Sequence, residues 1–369
     1  MKKLISFTTL IFALLISLSV PAHAGTNIIR VVDVPHQAFT GEFRNDNLAT
    51  DLLPEGRLGL LLEKLPKAPR TWVIDAALLD EVSAMSRGYT LASKADGLGV
   101  DTAKIWLEKL QRMTLGDEVI ALAYGNPDVR LAQSAAPSEL RLYYFYGQER
   151  LTFYLNRPVQ SEPGWSQGKA NLNAQMRKNY TVNRQALTRL TTVVSSEDLR
   201  ALRARLSILM SPSLSPKDRE FFALSATEGV AATLSKLRIT SGKYRLTSEN
   251  VKLPITLINA FDTPVTVNLE LTPLNSRIQV SDIKKITLEA QSKTQFTIPF
   301  KVIAPGATTV IAQFVNDEGT HVSEEAVLAL NLSVFDSQVA WFTSAAGLLL
   351  LVAAITQTVR RIRRSRREK

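Results

Sequence analysis

The sequence predicts an α+β protein of more than one domain. An N-terminal α/β domain, incomplete or divergent from a barrel, precedes an immunoglobulin-like β-sandwich and one C-terminal transmembrane helix. Three observations carry this. Up to about Leu237, apolar residues recur at helical spacing between short branched runs. Beyond it, strand-like runs follow one another with turn signals roughly every ten residues. Near the end, Val339 to Val359 contains no charged residue.

Residues 1–24 have the three parts of a secretory signal. Lys2 and Lys3 give a positive start, Leu4 to Val20 is apolar, and Ala22-His23-Ala24 after Pro21 is a small-x-small cleavage site. The α/β domain is then assigned to residues 25–236. Ile28 to Asp33 and Thr71 to Asp75 read as strands, the second leading into a helix with Leu78, Leu79, Val82 and Met85 on one face. Asp101 is placed to cap the next helix, whose inner stripe is Ala103, Trp106, Leu107, Leu110 and Met113. Glu118 to Tyr124 reads as a buried strand ended by Gly125-Asn126-Pro127. Leu140 to Tyr146 and Arg150 to Leu155 read as two more strands around a turn at Gly147. The alternation implies parallel βαβ units, although ~210 residues is short for a full barrel of ~250.

After a polar loop at Ser161 to Asn173, helices are predicted over Asn183 to Val194 and Ser196 to Met210. Ser215 then caps a last helix with Pro216 at its first position, running to about Leu234. Residues 237–335 form the predicted sandwich. Its candidate strands are Lys252–Ile258, Val265–Leu271, Lys285–Glu289, Gln295–Ile303, Thr308–Val315 and Ala326–Val334. Residues 339–359 are long enough to span a bilayer, with Trp341 and Phe342 at the outer edge. Residues 360–369 are a basic tail that holds that end on the cytoplasmic side. The expected topology is a single-pass cell-membrane protein, N-terminus outside and C-terminus cytoplasmic.

Charge follows this topology. The chain is +10, but the tail alone holds seven cations against one anion. The outer part has 35 cations against 33 anions, so the basic balance does not point to nucleic acid. It points instead to anionic inner-leaflet lipids at the arginine tail. With no cysteine, disulfides, thiol catalysis and thiolate metal sites are excluded. Once His23 leaves with the signal, only His36 and His321 remain, so a three-histidine metal site is excluded as well. No metal and no cofactor is expected.

Three acids, Asp33, Asp75 and Asp128, stand at or just past strand ends, the edge where α/β folds place their sites; His36 follows Asp33 closely. These four are the candidate catalytic residues. Each acid also has a structural reading: Asp75 caps a helix, and Asn126-Pro127-Asp128 reads as cap, first position and first-turn acid. Tyr124, Arg200 and Arg203 are weaker candidates for binding. The basic stretch from Arg177 to Arg205 either meets anionic wall polymers or is a solvated helix face. The aromatics Tyr143, Tyr144, Tyr146, Phe153 and Tyr154 either stack on sugars or fill a core.

Thr71-Trp-Val-Ile-Asp-Ala-Ala-Leu-Leu-Asp80 and Ile120-Ala-Leu-Ala-Tyr-Gly-Asn-Pro-Asp128 resemble motifs of a family of actinobacterial membrane proteins of unknown function. A sandwich opening at Tyr244 to Thr247 and Val251 to Asn259, before a C-terminal helix with a basic tail, resembles that family too. Ala76 and Ala123 stand where its motifs have proline. The genes of the family often lie near that of the lipid II flippase of cell-wall synthesis. The resemblance implies an envelope role and leaves Asp75 and Asp128 as site candidates of undefined function. Three readings follow: a non-catalytic envelope protein binding a protein partner or cell-wall precursor, a glycan hydrolase or deacetylase, and a surface adhesin.

Overall fold

Short branched segments form the strands of the first domain in the computed structural model, which describes residues 27–333 and 337–365. The expected signal at residues 1–24 lies outside the described residues, as does the tip of the basic tail, residues 366–369. Strands β1 (Asn27–Val31), β2 (Arg70–Ile74) and β3 (Glu118–Ala121) make a parallel sheet in the order β1-β2-β3. Register runs Ile29 to Trp72 and Trp72 to Val119. The central strand is buried on both faces, as parallel strands are. Trp72 and Ile74 enter the larger core, while Val73 joins Ile120 and Leu122 on the other side, against Val32 and Trp165. The sheet stops at three strands among the described residues, so the barrel-like expectation resolves into a small open α/β sheet.

Helices α1 (Asn47–Leu52), α2 (Arg57–Glu63), α3 (Ala76–Ser86) and α4 (Val100–Met113) cover the larger core. The N-cap of α4 is Gly99, and Asp101 falls in its first turn instead of capping it. After α5 (Val129–Ala135) comes the principal correction. Leu140 to Leu155 is not two strands but most of one helix, α6 (Pro137–Leu155). Pro137 opens it, and its buried residues Glu139, Tyr143, Tyr146, Gly147, Leu151 and Leu155 recur at helical spacing. Gly147 is no turn. A Cβ there would lie 2.3 Å from the Leu122 carbonyl oxygen, so glycine lets the helix press against the end of β3.

Helices α7 (Ala174–Leu190), α8 (Glu197–Arg205) and α9 (Pro216–Leu234) complete the domain, with a 3₁₀ turn at Leu206–Met210 after α8. As the sequence predicts, Ser215 caps α9, its hydroxyl accepting from the Asp218 N–H, with Pro216 in the first turn.

The second domain is a two-sheet sandwich. One sheet has the order β4-β6-β10-β8, from β4 (Leu237–Ile239), β6 (Asn250–Asn259), β10 (Ser292–Val302) and β8 (Ile278–Gln279). The other has the order β5-β12-β11-β7-β9, from β5 (Gly242–Leu246), β12 (Ala326–Leu332), β11 (Gly306–Val315), β7 (Val265–Pro273) and β9 (Ile283–Leu288). All six predicted strands are present, and β4, β5 and β8 are additional. Alternating residues such as Leu253, Ile255 and Leu257 face inward. One apolar cluster runs from Leu187, Leu209 and Phe222 of the helical domain into Leu257, Leu269 and Phe314 of the sandwich, without a break at the domain boundary.

The last helix, α10, spans Ser337–Ser365. Among the described residues no helix is long and apolar enough to cross a membrane. The expected span begins at Val339, whose side chain lies outside the described set.

Candidate functional site

The loops that follow the three parallel strands converge at one edge of the sheet. There Asp33, Asp75, Glu81, Gly125 and Arg205 line a narrow cleft, with Ile208 and Leu78 as apolar walls. Its cavity volume is ≈ 10 Å³, about what one water needs.

Asp75 closes β2 and starts α3. One carboxyl oxygen accepts from the Ala77 N–H at 3.0 Å, capping the helix, and from the Gly125 N–H at 2.9 Å. The chain after β3 is thereby pinned to β2. The turn at Gly125 and Asn126 has two successive positive φ values, 75° and 43°. A Cβ on Gly125 would lie 2.5 Å from the Ser207 Oγ. Burial pushes the Asp75 pKa up to about 7. The two backbone donors oppose the shift, and Glu81 and Asp80 add to it.

Asp33 sits just beyond β1. Its carboxylate accepts from its neighbour Val34 N–H at 2.7 Å and meets His36 Nε2 at 3.2 Å and the Arg57 guanidinium at 2.5 Å. His36 is buried, and burial alone would lower its pKa. The Asp33 hydrogen bond and the charges of Glu81, Asp33 and Asp51 outweigh this, leaving it raised. Glu81, one and a half turns into α3, is buried and accepts from the backbone N–H groups of His36 at 2.9 Å and Gln37 at 3.2 Å. Arg205 approaches Glu81 at 3.4 Å while donating to the carbonyls of Gln37 and Ala38. Glu81 and Arg205 therefore clamp the loop that carries Asp33 and His36. Burial raises the Glu81 pKa, against the opposing charges of Arg205 and His36.

Asp128 is elsewhere and fully engaged. One oxygen caps α5 through the N–H groups of Arg130 and Leu131, and the other accepts from the Ala170 N–H at 2.9 Å. Tyr124 is buried against Tyr146, its hydroxyl donating to Asp80 at 2.7 Å beside Arg150 and Tyr154. Arg203 makes a two-pronged pair with buried Glu139 at 2.8 and 2.6 Å, and Arg200 lies between Glu149 and Glu197. These arginines are bound within the protein instead of forming an open basic face. The structure thus brings Asp33, His36 and Asp75 together and leaves Asp128, Tyr124, Arg200 and Arg203 outside the cleft.

Glu81 and Arg205 complete the cleft, and Arg57 pairs with Asp33 at its side; neither Glu81 nor Arg57 stands out in the sequence. Arg205 is 124 residues from Glu81, and nothing local announces that pairing. Among the described residues, no group of acids and histidines is arranged to hold a metal ion.

Residues 124–367 match a family of unknown function, DUF6049. The chain belongs to this family. The DUF6049 match begins just past β3 and takes in the helices from α5 onward and the sandwich; the three-stranded sheet, with Asp33, His36 and Asp75, precedes it. It agrees with the expected resemblance as far as a family of unknown function, and carries nothing about organism, membrane or gene neighbourhood. No curated protein matches the chain. Among solved structures, the chain is similar to WR4, a C. elegans MSP family member, at 12% identity and TM-score 0.20, covering 26% of this chain and 97% of that one. It is similar to PapD-like domain 7 of human CEP192 at 16% identity and TM-score 0.21, covering 27% and 86%. The E. coli chaperone DraB matches at 12% identity and TM-score 0.21, covering 26% and 54%. At TM-scores this low they imply nothing about this chain's partners.

Proposed function

We propose that this DUF6049 protein is a membrane-anchored envelope protein that acts without catalysis, its α/β domain binding a protein partner or cell-wall precursor outside the membrane. The observation that carries the reading is the candidate cleft itself. In this structure it has room for about one water, and its polar groups hold the chain together. Asp75 joins β2 to the turn after β3, Glu81 and Arg205 clamp the loop after β1, and Asp33 is held between Arg57 and His36.

Anchoring is supported by the composition of α10 and its arginine-rich end. The described apolar side chains Leu348, Leu349, Leu350, Leu351 and Ile355 are all more than half exposed, so no protein surface covers them. The test incubates the purified full-length chain with cell-wall glycan and with lipid-linked wall precursor. Saturable binding without product release is expected. Turnover by the wild type that is lost in Asp75→Asn would overturn the reading.

One observation favours the runner-up, a glycan hydrolase or deacetylase. A carboxyl with a pKa near 7 beside a second carboxylate, at the C-terminal edge of a parallel sheet, suits a general acid at neutral pH. That reading requires the cleft to open, and the same turnover assay decides it.

A further inference from the structure

The sandwich is electrically polarised along its strands. At one pole lie residues 247–249, 274–277 and 303–305, joined through the backbone. The Val302 N–H donates to the Glu249 carbonyl at 2.7 Å, and the Ile303 N–H to the Arg277 carbonyl at 2.8 Å. The chain leaves the sandwich at this pole. Leu332 pairs with Leu246 on one side and Gly306 on the other, and the Ser333 N–H donates to the Leu246 carbonyl at 2.8 Å. Two large apolar side chains are exposed here, Ile303 at 57% and Leu274 at 64%. Around them Arg245, Arg277 and Lys301 are exposed, against the single acid Glu249.

The opposite pole is reversed in charge. Residues 260–264, 289–291 and 316–325 carry Asp262, Glu289, Asp317, Glu318, Glu324 and Glu325, against the neighbouring cations Lys236 and Lys293. That pole meets the helical domain, where the Asn316 amide donates to the Thr192 hydroxyl at 3.1 Å and Lys236 lies over the Phe261 ring.

We propose that the basic pole rests on an anionic bilayer surface, with Ile303 and Leu274 in the headgroup layer and Arg245, Arg277 and Lys301 on lipid phosphates. This rests on the reading that α10 spans the bilayer. Chain length supports the occupant. From Ser333 to the start of α10 at Ser337 the backbone reaches at most roughly 14 Å, so this pole stays beside the point of membrane entry. Charge and apolarity support it as well. Cations around exposed aliphatic side chains suit an interface where phosphates lie above acyl chains.

Because the chain has no cysteine, single labels are unambiguous. Ile303→Cys and Asp317→Cys variants of the full chain, each carrying an environment-sensitive fluorophore, are reconstituted in phosphatidylcholine vesicles with or without phosphatidylglycerol. Spin-labelled lipid should quench the position-303 label several-fold more than the position-317 label. The difference should grow with phosphatidylglycerol, and should shrink with salt and in the Arg277→Glu/Lys301→Glu background. Equal quenching at the two poles, or quenching indifferent to phosphatidylglycerol, overturns the proposal. Alkaline carbonate extraction of the same vesicles separates the two readings. Release of the protein removes the membrane span; retention with an unquenched position-303 label removes only the docking pole.

Discussion

Replacing Asp75 by Asn should make the protein more stable at pH 8 and nearly unchanged at pH 4. The asparagine Oδ1 can still accept from the Ala77 and Gly125 N–H groups, so the cap and the cross-strand bond persist. What disappears is the ionisation. Asp75 moves from 3.8 to about 7 on folding. A raised carboxyl pKa means that the folded state holds its proton over a range where the unfolded chain has lost it. Its stabilising effect is complete below pH 4, declines through the window from 4 to 7, and is absent above. At about 1.4 kcal/mol per unit, three units correspond to an upper value of about 4 kcal/mol. With a urea slope of about 3 kcal/mol/M, the midpoint of the variant should exceed that of the wild type by up to roughly 1 M at pH 8. Buried Trp72, in the strand that Asp75 ends, provides a fluorescence signal. Glu81 and His36 also have raised pKa values and act in the same direction. The slope of the wild type therefore does not identify Asp75, but the difference between the two proteins does. Parallel pH profiles for wild type and Asp75→Asn would refute the reasoning.

Three further substitutions probe the supports of the fold. Arg203→Ala leaves Glu139, only 1% exposed, with Arg184 at 3.8 Å as its remaining ion partner, and should cost about 3–5 kcal/mol by chemical denaturation; adding Glu139→Gln should recover much of it. Gly125→Ala, at φ 75° and against the Ser207 hydroxyl, should lower the thermal midpoint by the equivalent of about 1–3 kcal/mol. Asp128→Ala removes the α5 cap and the tie to Ala170, and should cost about 1–2 kcal/mol in a melt while leaving partner or precursor binding unchanged.

Much of the fold was legible because its signals are local. A branched run ended by an acid gave β1 and β2, serine followed by proline gave the start of α9, and strict alternation gave the long strands of the sandwich. The error at α6 was also local. Four aromatics in succession have strand propensity, yet the buried set from Glu139 to Leu155 follows a helical period, and Gly147 marks close packing instead of a turn. Strand β5 is short and pairs in parallel with β12, far along the chain, so beyond the opening motif at Tyr244 to Thr247 no local alternation marks it. The cleft was half legible. Asp33, His36 and Asp75 could be named from strand ends, but the Glu81–Arg205 clamp depends on packing between α3 and α8.

The uninterrupted core between helices and sandwich bears on how the protein reaches outward. Strand β10 has 11 residues, and at ~3.3 Å per residue the distance from pole to pole is roughly 36 Å. With apolar side chains continuous across the boundary, a swivel of the helical domain would expose buried side chains such as Phe222 and Phe314. On the proposed reading, the sandwich is a strut that sets the distance between the α/β domain and the place where the chain departs.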